Sequence, residues 1–94
     1  MHVTLRWYAG ASALSDTMSA KAAEVEQLLR GVPGFITYYA VRDGENMTSV
    51  TVCQDKAGTD ESTRRAAAWV KENLKGAVAA PRISEGDTFI SFKK

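Results

Sequence analysis

Residues 35 to 54 read Phe35-Ile36-Thr37-Tyr38-Tyr39-Ala40-Val41-Arg42-Asp43-Gly44-Glu45-Asn46-Met47-Thr48-Ser49-Val50-Thr51-Val52-Cys53-Gln54. Both halves of this stretch are rich in β-branched and aromatic residues, which suit a pleated surface. Asp-Gly between two such runs is a hairpin signature. The pattern predicts two antiparallel strands, over 35–42 and 47–54, with Asp43 to Asn46 as the turn. Alternation puts Val50, Val52 and Gln54 on one face of the second strand and Ser49, Thr51 and Cys53 on the other. In the first strand it sets Phe35, Thr37, Tyr39 and Val41 against Ile36, Tyr38 and Ala40.

Upstream, residues 2–9 also alternate, with Val3, Leu5 and Trp7 on one face and His2, Thr4, Arg6 and Tyr8 on the other. Gly10 to Leu14 reads as a connector of small residues. Ser15 and Asp16 are helix-capping types, and Met18, Ala22, Val25 and Leu29 recur at helical spacing. One helix is therefore expected up to Arg30, followed by Gly31 as its C′ residue, with Val32-Pro33-Gly34 barring continuation. Downstream, Gly58 to Glu61 is expected to open a second helix, with Thr59 as its cap. Its stripe would be Ala66, Ala67, Val70 and Leu74, and Gly76 would end it. Glu61 and Arg65 stand at the spacing of an ion pair worth about 0.2–0.5 kcal/mol. Ala77 to Ala80 reads as a linker, Arg82 to Ser84 as a short extended piece, Glu85-Gly86-Asp87 as a bulge or turn, and Thr88 to Phe92 as the last strand. The order is β-α-β-β-α-β in a single domain over residues 1–94. That is the ferredoxin-like α+β arrangement, a four-stranded antiparallel sheet with two helices on one face.

Composition narrows the function. The 94 residues carry 12 Lys/Arg against 11 Asp/Glu, a formal charge of +1, which marks no nucleic-acid binder and no anionic-membrane binder. One cysteine and one histidine argue against a disulfide framework, a cysteine-rich zinc site and any two-histidine metal or haem scheme. No cofactor and no metal are expected. The longest apolar run, Ala66 to Val70, is far short of a membrane span. The start Met-His-Val-Thr-Leu-Arg lacks a leader pattern, so a soluble, cytoplasmic protein is expected. Both faces of the strands carry large apolar groups, and burying each is worth roughly 1.5–3 kcal/mol. A homodimer, with a second copy on the open sheet face, is therefore expected.

The passage Val32-Pro33-Gly34-Phe35-Ile36-Thr37-Tyr38-Tyr39 resembles the helix-to-strand passage of the dimeric α+β barrel superfamily. In particular it is similar to small proteins related to antibiotic biosynthesis monooxygenases. The stretch Thr48 to Leu74 resembles a bacterial branch of the same group. The resemblance implies a homodimer whose sheets close into a barrel, and a pocket between sheet and helices in each subunit. Haem-degrading members use an Asn in the first strand, a Trp on the second helix and a His after it; only Trp69 matches here, so haem ligation of that type is not expected. The implied function is a cofactor-independent, monooxygenase-like enzyme acting on a small planar or phenolic metabolite. The alternative is a non-catalytic dimeric small-molecule-binding or structural module.

Trp7, Tyr39 and Trp69 are the candidate ligand-binding residues. Trp69 would stack on a planar ligand, with Arg65 over the indole as a cation–π partner; its packing alternative is a filler between helix and sheet edge. Trp7, Tyr38 and Tyr39 offer aromatic walls or a phenol donor, or simply sheet packing. Arg6 and Arg42 suit either an anionic group or surface solvation and ion pairing. Cys53 reads as a buried structural thiol and His2 as a frayed surface residue.

Overall fold

The structure is a computed structural model and describes residues 1–74, 76 and 78–94. Strand β1 spans His2–Tyr8, helices α1 and α2 span Ser12–Ala20 and Ala22–Arg30, and strands β2 and β3 span Phe35–Asp43 and Asn46–Cys53. Helix α3 covers Lys56–Asn73 and strand β4 covers Arg82–Asp87. The sheet order is β2-β3-β1-β4, and every pairing is antiparallel. This is the expected α+β, ferredoxin-like sheet. The hairpin is closed by Gly44 and Glu45, with Gly44 at φ +60° and no positive φ at Glu45, which suits a type II′ turn.

Several local expectations give way to tertiary packing. The first helix is two, broken at Lys21 (φ −114°, ψ 31°), and it starts at Ser12 inside the expected connector. Ser15 caps nothing: it is buried in α1, and its hydroxyl donates to the Ala11 carbonyl at 3.0 Å. Gly31 sits at φ −76°, so its small size, not a left-handed turn, is what the fold uses there: a Cβ would lie 2.9 Å from Arg65 Nη1. Helix α3 begins earlier than expected because Asp55, not Thr59, is the N-cap, its carboxylate accepting from the Gly58 N–H at 3.1 Å. The Thr59 hydroxyl donates to the Lys56 carbonyl instead. The helix also stops at Asn73, before Gly76. Residues 78–80 are irregular, as a linker should be, whereas Ala77 lies outside the described residues.

The last strand is displaced as well. Arg82–Asp87 pairs with β1, taking in Glu85-Gly86-Asp87, while residues 88–94 form no strand. The reason is visible at the edge of the sheet. His2, expected to be frayed, is only 6% exposed, and its ring nitrogens sit 2.9 Å from both Asp87 and Glu85. This clamp holds β4 in the register that pairs His2 with Asp87 and Thr4 with Glu85. In β2 a bulge between Phe35 and Thr37 shifts the alternation, so Phe35 joins Tyr38 against the core instead of sharing a face with Tyr39.

The helices cover the face that carries His2, Thr4, Arg6 and Tyr8, together with Met47, Ser49, Thr51 and Cys53. The opposite face of β1 and β3, with Val3, Leu5, Trp7, Val50 and Val52, is uncovered and only partly buried. The more polar side is thus the interior.

Candidate functional site

The interior is built from alternation and register. Each inward residue of β1 stands beside an inward residue of β3: Thr4 faces Thr51, Arg6 faces Ser49, and Tyr8 faces Met47. From above, α3 lowers Ser62 and Thr63 towards the same point. Arg6 lies at the centre and is 2% exposed. Its Nε donates to Ser49 Oγ at 3.2 Å, its Nη2 to Thr51 Oγ1 at 2.8 Å, and its Nη1 to Thr63 Oγ1 at 2.9 Å and Ser62 Oγ at 3.4 Å. All four acceptors are neutral hydroxyls. Sequence alone offered Arg6 as a surface group or anion binder; the structure makes it the buried charge of the core. The signal available was its even-numbered place in an alternating strand, beside a strand whose matching face carries Ser49, Thr51 and Cys53.

Around this cation stand two phenols. Burial raises the Tyr8 hydroxyl above its ordinary pKa, and the positive charge of Arg6 partly offsets the rise. The same two influences act on Tyr38, in the same order, with a hydrogen bond to Ser49 also pulling downward. Both rings therefore stay protonated donors at neutral pH. Cys53 is fully buried, and burial, then the nearby Asp55 carboxylate, push its thiol up, so it is a poor nucleophile.

Trp69 is 6% exposed and belongs to the core, although the expected stripe of Ala66, Ala67, Val70 and Leu74 leaves it out. Its Nε1 donates to Glu24 Oε1 at 2.9 Å, fastening α3 to α2. Arg65 does not lie over the indole. It pairs with Glu61 at 2.9 Å, as its spacing predicts, and donates to the Leu28 carbonyl at 3.1 Å near the C-terminus of α2. The cation–π contact is elsewhere: Arg82 stands 6.0 Å from the Trp7 ring centre. Arg42 pairs with Asp16 at 2.8 Å. The three candidate binding residues are not brought together. Trp69 is interior, while Trp7 and Tyr39 lie on the open face, Tyr39 at 61% exposure.

Three spaces adjoin the interior. A cleft of about 620 Å³ opens between α1, α2 and β2, walled by Met18, Val25, Phe35, Tyr38 and Arg42. A second, of about 630 Å³, opens between α3 and β4 and is walled by Arg6, Tyr8, Thr63, Lys71 and Ile83. Between them, beside Trp69, Tyr8 and Tyr38, only about 30 Å³ is free, room for one water. Among the described residues no cluster of three or more His, Cys, Asp or Glu side chains could hold a metal ion. Among them, too, no helix is long and apolar enough to cross a membrane.

No protein-family model and no curated protein matches the chain. Its fold does match solved structures. The monooxygenase from the ActVA-Orf6 gene of Streptomyces coelicolor, in complex with nanaomycin D, superposes with a TM-score of 0.72 at 11% identity, covering 99% of this chain and 91% of that one. SnoaB, a cofactor-independent oxygenase from Streptomyces nogalater, gives 0.66 at 13% identity, covering 99% and 97%. MhuD, with two manganese protoporphyrin IX per active site, gives 0.71 at 13% identity and full coverage of both chains. The protein has the α+β fold of antibiotic biosynthesis monooxygenase-like structures.

Proposed function

We propose that this protein is a homodimeric α+β barrel enzyme, monooxygenase-like and independent of any cofactor, that acts on a small planar or phenolic metabolite. The observation that carries the reading is the division of the sheet. One face forms a polar-centred interior with phenols and an indole, flanked by clefts of about 620 and 630 Å³, large enough for a metabolite. The fold shared with a cofactor-independent oxygenase supports the same reaction class. In such a reaction the substrate ionises and its own anion reduces dioxygen, so the chain supplies a dry cavity, orientation and hydrogen-bond donors. Tyr8 and Tyr38 are the donors on this face. Trp69 supplies an aromatic wall, whereas Trp7 and Tyr39 would reach a ligand only from the open face or across a dimer contact. A reducing, cytoplasmic setting suits the single buried thiol.

The second copy is supported by the other face and by the segment after β4. Val41 is 52% exposed and Leu5 38% on that face, and Phe89 and Phe92 are each 92% exposed beside Ile90 at 59%. Apolar surface of this extent calls for a cover. The packing beside Trp69, with only about 30 Å³ to spare, favours a second reading, a non-catalytic dimeric module that binds ligands in its outer clefts.

Titration with nanaomycin D, followed by tryptophan fluorescence, and dioxygen uptake with a panel of planar phenols separate the two. Quenching with uptake is expected for the enzyme. Quenching without uptake leaves the binding module, and neither response removes both. Sedimentation equilibrium is expected to show a dimer; a ten-kilodalton species at micromolar concentration would end the dimeric reading.

A further inference from the structure

Arg6 is a permanent cation sealed among neutral groups. Taking such a charge out of water is costly unless an opposite charge meets it, and hydroxyl dipoles offset only part of that cost. Among the described residues no carboxylate pairs with it; the ion pairs of the protein lie elsewhere, at its surface and sheet edge. A guanidinium has five N–H donors. Four are engaged by Ser49, Thr51, Ser62 and Thr63, which leaves one on Nη2 without an acceptor among the described residues. Arg6 also forms part of the wall of the cleft between α3 and β4. Among the described residues that wall holds two cations, Arg6 and Lys71, and no acidic residue; the rest is apolar or small apart from Tyr8 and Thr63. The opposite cleft differs, since Glu26 stands there with Arg30 and Arg42.

We propose that the α3–β4 cleft is an anion site, in which Arg6 is the buried counter-charge for a single acidic group, a carboxylate or an ionised phenol or enol, on a ligand with a flat apolar body. The inference rests on the reading that this face of the sheet receives a small molecule, and adds where the ligand's charged end goes. The body lies along Val70, Leu74 and Ile83, the acidic oxygen meets the Arg6 guanidinium where it forms the wall, and Lys71 draws the anion in from the rim. Tyr8, a protonated phenol on the same wall, is placed to donate to a second oxygen. Ser49, Thr51 and Thr63 act as positioning residues, holding the guanidinium plane in place. An anionic ligand would meet a guanidinium already held in position with one N–H to spare, so binding needs no reorganisation of the site.

The test uses a matched pair of probes, cinnamate and cinnamyl alcohol, titrated by calorimetry into the full chain and into Arg6→Met. Wild type is expected to bind cinnamate about tenfold or more tighter than the alcohol, since hydrogen bonds to charged partners are the stronger kind. Arg6→Met is expected to bind the two alike, and Lys71→Met to lose only part of the preference. Equal affinities in wild type, or a preference that survives in Arg6→Met, overturn the anion site while leaving the cavity reading in place. Binding of neither probe removes both. If Arg6→Met does not fold, para-nitrophenol decides the matter in wild type. Its coloured anion should form at a pH lower by about one unit or more when bound, the same tenfold preference expressed as a pKa; an unchanged or raised pKa refutes the proposal.

Discussion

Replacing Gly58 by alanine sets helix propensity against packing. Gly58 lies in the first turn of α3, and in a helix alanine is favoured over glycine by about 1 kcal/mol. On that count alone the variant gains stability. The tertiary structure reverses the sign. A Cβ at Gly58 would stand 2.7 Å from the Pro33 carbonyl oxygen and 2.8 Å from Cys53 Cβ, where ordinary contact begins at 3.4 Å. Neither obstacle is the loose end of a side chain: one is backbone beside a proline, the other sits at the end of β3. The helix would have to back away by about 0.7 Å, and overpacking of this kind costs about 2–3 kcal/mol at a site with little freedom to adjust. Subtracting the propensity gain leaves a net loss of about 1–2 kcal/mol, or about 5–15 °C in Tm for a chain of this size. Ala68→Gly, on the exposed side of the same helix, should lose about 1 kcal/mol from propensity alone. Thermal unfolding by circular dichroism at matched protein concentration measures both. A Gly58→Ala variant that melts at or above wild type refutes the close-approach account of α3.

The His2 clamp gives a pH signature. Hydrogen bonds donated by the imidazole to Asp87, then Glu85, raise its pKa, and accepting from His2 is the main cause holding each carboxylate below its ordinary value. The imidazole contribution is complete below the ordinary histidine pKa and disappears as pH rises through the raised one; the carboxylate contributions disappear as pH falls through their lowered values. The stability difference between wild type and His2→Gln should therefore be greatest at roughly pH 4.5 to 6.5 and vanish above it, and a difference independent of pH in urea titrations would disprove the clamp. Asp55→Ala should cost about 1 kcal/mol in urea unfolding through loss of the α3 cap, and an unchanged midpoint would show that the cap contributes nothing. Phe89→Ser with Phe92→Ser should shift sedimentation towards monomer without lowering helix content; an unaltered dimer would mean that these side chains do not reach the partner.

How much was legible differs from element to element. The hairpin, β1 and the ferredoxin-like order follow from alternation and turn chemistry, because these are local and repeat every two residues. The break at Lys21 and the α3 start at Asp55 were not legible, because helix ends are settled by which backbone groups find partners once the elements pack. The displacement of β4 has the same character: Phe89, Ile90 and Phe92 look like a strand by themselves, yet His2 secures Asp87 and Glu85 instead. For the site, the stripe of the second predicted helix leaves Trp69 out, whereas packing buries it in the core and bonds it to Glu24, a partner from another element that no local pattern announces.

Alternation along β1 settles which residues share a face: Arg6 goes with His2, Thr4 and Tyr8, and Trp7 with Val3 and Leu5. It did not determine which of those faces the helices would cover, since a period of two is symmetric between its faces. The tertiary structure chose the more polar one, because Ser49 and Thr51 from β3 and Ser62 and Thr63 from α3 converge on Arg6 and satisfy a charge that the apolar face has no means to hold. That choice left Leu5 and Trp7 facing outward and placed the only permanent cation of β1 within the wall of a cleft.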